Sequence, residues 1–189
     1  MRTIIAIVAF ALAVFSGAAH AQQNVALRDW SNFCLETHGD PATAIARADA
    51  AGWRTDDISA QSQMATGQFE AVAFRVSVDM MNRQHTLAVL TFRPETRRGD
   101  QVQNVQCLVS YPTGTGPLGE MQTILGFPQS WSDQGSSVWA LIEDGGPMRP
   151  VPDDPAVARP LFEGNQTALV RVQTVQGLDI VMFERTRSP

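Results

Sequence analysis

The sequence predicts an α+β fold in which an N-terminal helix hairpin packs on a largely antiparallel sheet of about six strands, joined by one disulfide. Three observations carry this expectation. Residues 25–53 space their apolar side chains as helices do, residues 69–185 alternate them as strands do, and one cysteine falls in each part.

The chain opens with Arg2, an apolar run from Ile4 to Phe15, and the small residues Ala19 and Ala21 on either side of His20. That is the pattern of a secretory signal peptide cleaved after Ala21, too short for a permanent membrane helix. No cysteine follows the cleavage site, so no lipid anchor is expected there. No later stretch is apolar for long enough to cross a bilayer, which argues against stable membrane insertion. The expectation is therefore a signal peptide over 1–21 and a single domain over 22–189, periplasmic or secreted. Removing 21 of 189 residues leaves 168, and of the 14 basic residues only Arg2 is lost, so the net charge moves from −5 to −6. An acidic chain of this kind is a poor match for nucleic acid.

In chain order, Trp30, Phe33, Cys34 and Thr37 lie at i, i+3, i+4 and i+7 and predict a helix over 25–38 with Cys34 on the core side and Gly39 as its stop. Asp40-Pro41 starts a second helix as N-cap and first helical residue, with Ala44, Ile45, Ala48 and Ala51 on its apolar face. Gly52 ends it in a left-handed cap that folds Trp53 back towards Ala48. A polar stretch follows. Strands are then predicted over 69–80, 85–92 and 102–110, the last carrying Cys107, with RPETRRGDQ as a charged hairpin tip. TGTGPLG leads into a short helix near 117–126, residues 136–142 form a strand, 144–160 read as a proline-rich loop, and 167–175 with 178–185 form a final hairpin turning at Gln176-Gly177.

Every basic residue is arginine. Without lysine there is no Schiff-base amine, no Ser-Lys dyad and no Walker-type phosphate loop. Cys34 and His38 have the residue types of a thiolate pair, but in an oxidising compartment an even pair of cysteines reads as a disulfide, Cys34 to Cys107. Only His38 and His85 remain as metal-ligating imidazoles, with no C-x-x-C or H-x-x-x-H spacing, so no metal site and no cofactor is predicted. Asp56-Asp57 and Asp153-Asp154 lack the spaced acidic loop of a calcium site and read as helix caps. Thr113–Gly119 could offer amides to an anion and reads more simply as a turn. Glu143 and Asp144, adjacent on a strand, point to opposite faces. No G-x-S-x-G elbow or H-E-x-x-H helix is present.

Two groups of residues are the candidates for ligand binding. Arg93, Arg97 and Arg98 form a positive spot around a hairpin tip, suited to phosphate or carboxylate or, more blandly, to keeping a sheet edge from aggregating. Phe127, Trp131 and Trp139 are aromatics beside a loop that line a pocket or fill the core.

Phe33-Cys34, Thr37, Gly39-Asp40 and Ala48-Asp49-Ala50-Ala51-Gly52-Trp53, at these spacings, resemble a functionally uncharacterised family of small exported proteins and lipoproteins of Gram-negative, mainly alphaproteobacterial, bacteria. The resemblance covers residues 33–53. It implies export and the α+β outline, and it supplies no catalytic residue. The functional expectation is an exported, non-catalytic binding or interaction protein whose partner is an envelope protein or a small ligand. The alternatives are a cell-envelope enzyme such as a hydrolase, using His85 or His38 with nearby carboxylates, and a structural or stress-protective envelope protein.

Overall fold

The computed structural model describes residues 25–113, 117–133, 135–143 and 147–188, with side chains throughout except at 25, 26 and 117–119. The expected signal peptide lies outside the described residues. Among them, ten strands join one sheet: β1 (Arg54–Thr55), β2 (Phe69–Val78), β3 (Gln84–Phe92), β4 (Glu95–Arg97), β5 (Asp100–Pro112), β6 (Trp131–Asp133), β7 (Ser136–Ile142), β8 (Arg149–Pro150), β9 (Thr167–Val175) and β10 (Leu178–Arg187). Their order is β1-β2-β3-β5-β10-β9-β7-β6, with β4 alongside β5 and β8 alongside β7. Every pairing is antiparallel.

The helical elements are α1 (Val25–Trp30), which runs directly into a π-helical turn (Ser31–Leu35), then α2 (Pro41–Ala50), α3 (Asp57–Met64), α4 (Pro117–Leu125) and α5 (Pro155–Glu163). The π-turn carries the packing. Glu36 N–H donates to Ser31 O, and Gly39 N–H to Cys34 O, each five residues back. Phe33 and Cys34, within this turn, are both fully buried along with Trp30. The caps of α2 form as the sequence predicts. Asp40 Oδ1 accepts from Thr43 N–H at 2.9 Å, Gly52 has φ +82°, and Trp53 N–H donates to Ala48 O at 3.0 Å.

One face of the sheet is covered by α1, the π-turn, α2 and α4. Because strand side chains alternate, the cross-strand row Ala73–Val89–Cys107–Phe183–Val170–Trp139 lies entirely on that face. At its centre Cys107 is bonded to Cys34, with Cα atoms 5.4 Å apart. The bridge therefore ties the π-turn to the middle of the long central strand β5. Gly39 completes the fit. Its φ is +66°, and a Cβ there would stand 2.9 Å from Phe183 Cδ1, so both its backbone and its space exclude a larger residue.

Three expectations are corrected. The sheet has ten strands rather than about six, because β1, β4, β6 and β8 are only two or three residues long and carry no alternation to read. The helix expected over 25–38 is instead a six-residue α-helix, Val25–Trp30, that passes into a π-helical turn over Ser31–Leu35, so residues 25–53 do not form a clear hairpin of two regular helices. The proline-rich segment 144–160 is not a loop throughout: β8 and most of α5 lie in it, Asp154 capping the helix and Pro155 opening it.

Replacing both cysteines by serine should cost about 4 kcal/mol of unfolding free energy, the chain-entropy value for a separation of 73 residues, read from urea denaturation. Gly39→Ala should cost roughly 1–3 kcal/mol, and its combination with Phe183→Leu should be less than additive, because trimming the ring removes the close approach.

Candidate binding site

The β4–β5 hairpin turns at Arg98 and Gly99, with φ +51° and +93°, between the paired residues Arg97 and Asp100. Positive φ at both central positions marks the two-residue turn that continues the right-handed twist of its strands. The turn carries Arg97 and Arg98 towards the C-terminal end of α5. That helix starts at the Asp154 cap, whose Oδ1 accepts from Ala156 N–H at 2.9 Å. After it ends, Asn165 takes a left-handed conformation, φ +53°, on the way into β9. Phe162, in the last turn of α5, is 40% exposed.

Phe162 borders three adjoining cavities. One of 270 Å³ is lined by Arg97, Arg98, Asp100, Phe162, Glu163 and Asn165. A second, of 160 Å³, shares Arg97, Phe162 and Asn165 and extends over Asn104, Leu169 and Glu184. The third, of 170 Å³ on the other side of the ring, is lined by Ser130, Trp131, Val151, Pro152 and Ala158 among others. Trp131, on β6, is 39% exposed, and its ring stands 6.5 Å from that of Phe162, edge to face. The result is a trough with a charged half and an apolar half divided by one aromatic ring. In the charged half Arg97 pairs with Glu95 at 2.6 Å and Arg98 with Glu163 at 3.3 Å. Exposed pairs of this kind are worth about 0–1 kcal/mol each, so an incoming carboxylate can share or displace them at little cost.

Of the six candidate ligand-binding residues, Arg97, Arg98 and Trp131 come together around Phe162. Arg93 is exposed, but it binds back on the sheet: its N–H donates to Gln68 O at 3.1 Å and its Nε to Phe69 O at 3.4 Å. Trp139 is buried in the core row on the opposite face, and Phe127 packs against that same core. Alternation separates the two tryptophans, since Trp131 stands opposite Val138, the neighbour of Trp139. Phe162 and Asn165 escaped the sequence reading. The available signal was Asp154-Pro155, which repeats the Asp40-Pro41 helix start and is followed by apolar Val157 and Leu161 four residues apart.

A further cavity, of 740 Å³, is a groove between α1 with its π-turn and α4, where Ile124 meets Arg28, Ser31, Asn32, Glu36, Glu120 and Thr123. Two of its polar residues already brace the fold. Arg47 Nη1 donates to Asn32 O at 2.7 Å, to Asn32 Oδ1 at 2.8 Å and to Glu36 Oε2 at 2.9 Å, locking α2 to the π-turn.

Among the described residues, both histidines sit beside carboxylates. His38 Nδ1 is 3.6 Å from Glu143 Oε1, which also binds Arg185 Nη1. His85 is buried at the other end of the helix-covered face, its Nε2 3.7 Å from Asp79 Oδ2 and its ring 6.4 Å from that of Tyr111. Burial pushes the His85 imidazole below its ordinary value, against the pull of Asp79. Burial also raises the nearby Asp29 carboxyl, while the Arg83 backbone N–H, with the Arg83 guanidinium, brings Asp79 down to about 2. Neither imidazole hydrogen-bonds to a serine, threonine or cysteine among the described residues, and Cys34 is committed to the disulfide. No cluster of three or more metal-ligating side chains occurs among the described residues. No protein-family model, curated protein or solved structure matches the chain.

The His85 cluster sets a pH dependence. On acidification the unfolded chain protonates near 6.5, before the buried imidazole does, so the native advantage is whole above that value and falls as pH drops through it. Asp79 acts lower: its contribution holds down to about pH 4 and is lost towards pH 2. His85→Gln should flatten the decline in urea midpoint between pH 7 and pH 5 while leaving the loss below pH 4 in place.

Proposed function

We propose that this protein is an exported binding module, working in the periplasm or outside the cell, that holds an extended peptide segment across the Phe162 trough. The observation carrying the reading is the Phe162 ring itself, exposed between an arginine-bearing cleft and the Trp131–Pro152 cleft. The charged half carries both signs, Arg97 and Arg98 against Asp100 and Glu163. A ligand that offers a carboxylate, backbone amides and an apolar side chain in sequence satisfies all of these groups, which a bare phosphate does not. The Cys34–Cys107 bridge is compatible with an oxidising compartment.

A second reading, a cell-envelope hydrolase, is favoured by one observation: a buried imidazole held towards its neutral form between Asp79 and Asp29. Its weakness is chemical, since an imidazole base needs a nucleophile or a water to activate, and the polar groups beside His85 serve each other.

The test is selection of a hexapeptide from a displayed library on the purified chain, followed by calorimetric titration. Selected sequences should carry an acidic residue within three positions of phenylalanine or proline. Arg98→Glu and Phe162→Ala should each weaken binding at least tenfold, and Arg93→Ala should leave it unchanged. Selected peptides that bind all three variants equally would dismiss the trough as the site, and hydrolysis of peptide or ester substrates abolished by His85→Gln would favour the second reading.

A further inference from the structure

The groove between α1 with its π-turn and α4 opens on the helix-covered side of the sheet, away from the Phe162 trough. One wall is Arg28, Ser31, Asn32 and Glu36, which recur at steps of three or four residues and so form one stripe. The facing wall is Glu120, Thr123 and Ile124, a single stripe of α4. From Arg28 to Glu36 the first wall runs for roughly 10 Å along the helix axis. The volume, 740 Å³, falls within the range of small-molecule sites, whereas the cavities around Phe162 are of 160, 170 and 270 Å³.

The charges of the groove are paired except for one. Arg28 Nη2 stands 3.6 Å from Asp29 Oδ1, and Glu36 Oε2 accepts from Arg47 Nη1 at 2.9 Å. Glu120 has no ion-pair partner among the described residues, and its Oε2 is withdrawn from water without accepting a hydrogen bond. Its place in the first turn of α4 suits a carboxylate through the helix dipole, yet no N–H of that turn donates to Oε2. A carboxylate partly removed from water and left without a donor is a cost that a bound cation offsets.

We propose that this groove binds an aliphatic primary amine, its ammonium paired with the Glu120 carboxylate and its hydrocarbon chain laid along Ile124 between the two helical walls. An ammonium carries three donors, and the hydroxyls of Ser31 and Thr123 line the same groove as further acceptors. The net charge of −5 draws a cation towards the chain. An anion would instead meet two carboxylates, with the one guanidinium already held by Asp29. A neutral ligand leaves Glu120 uncompensated. A divalent metal ion needs several oxygen ligands, and no cluster of three or more metal-ligating side chains occurs among the described residues. A lysine side chain of a partner protein offers the same charge, but it fills only a fraction of 740 Å³. An extended chain of about eight carbons matches the roughly 10 Å of the longer wall.

Calorimetric titration of octylamine into the purified, disulfide-intact chain at pH 7 tests this. One site per chain is expected, with a dissociation constant below about 1 mM. Octanoate and 1-octanol should bind at least about tenfold more weakly, as should butylamine, which buries fewer methylenes. Glu120→Gln should weaken octylamine at least about tenfold. Asp57→Asn removes the same charge from the exposed start of α3 and should leave binding unchanged, as should Arg98→Glu in the trough. Far-UV circular dichroism checks that Glu120→Gln folds, and the comparison of octylamine with octanoate and octanol on the unaltered chain decides the matter if it does not. Absence of saturable binding, or equal binding by the unaltered chain and a folded Glu120→Gln, would overturn the proposal. So would an end-blocked tripeptide with lysine at its centre that binds as tightly as octylamine.

Discussion

The fold depends on where the Cys34–Cys107 bridge is placed. Cys107 sits midway along β5, the 13-residue strand that pairs with β3 on one side and β10 on the other, so anything fixed to it is fixed to the centre of the sheet. Cys34 lies in the π-turn, between Phe33 and the Thr37–Gly39 segment that folds over Phe183. Thr37 Oγ1 donates to Phe33 O at 2.5 Å and Gly39 N–H to Cys34 O at 2.8 Å, so the backbone on both sides of the bridge is satisfied where water cannot reach it. Short helices such as α1, at six residues, and α2, at ten, have little stability of their own. The covalent tether and the apolar row beneath it convert them into the cover of one sheet face.

That arrangement explains which features were legible in the sequence. Capping chemistry is local, so Asp40-Pro41 and Gly52-Trp53 announce α2 without knowledge of the rest of the chain. The same holds for Gln176-Gly177, whose φ values of +52° and +79° need only those two residues, and for β7, whose seven-residue span is the one predicted. The cysteine pairing was legible because two cysteines allow one bridge. What failed was everything whose signal is packing rather than chemistry at one position. The polar stretch after Trp53 hides α3 because a helix that buries no side chain has no apolar period, as Ile58 at 83% exposure illustrates. Trp131 and Trp139 look alike in the sequence, yet one is in the core and the other on a rim. Alternation puts neighbouring positions on opposite faces without saying which face is covered.

The candidate site was half legible for the same reason. The arginines at a hairpin tip could be read from turn residues and charge. Their partner across the trough, Phe162, lies two residues beyond the segment 144–160 whose prolines suggested a loop. Pro155 there is a helix opener and Pro152 a cavity wall, while Pro160 falls within α5 itself. Proximity of Arg98 to Glu163, separated by 65 positions in the chain, follows from β5 and β9 flanking β10 in the sheet order. No local pattern encodes that order.

The face of the sheet opposite the disulfide has two regions that differ in chemistry. Over β7 and β9, α5 and β6 bring charge, hydrogen-bonding groups and two exposed aromatic rings to a trough whose cavities are 160 to 270 Å³, dimensions suited to individual side chains of a ligand. Over β2, β3, β5 and β10 the rows Phe74–Ala88–Leu108–Met182 and Val76–Thr86–Ser110–Ile180 carry no ionisable side chain, and Arg54 stands opposite Val76 at their edge. Arg171 marks the boundary, held by Asp133 on one side and Glu184 on the other, each at 3.6 Å. With that guanidinium held in place, α5 stands as a shoulder beside the apolar rows.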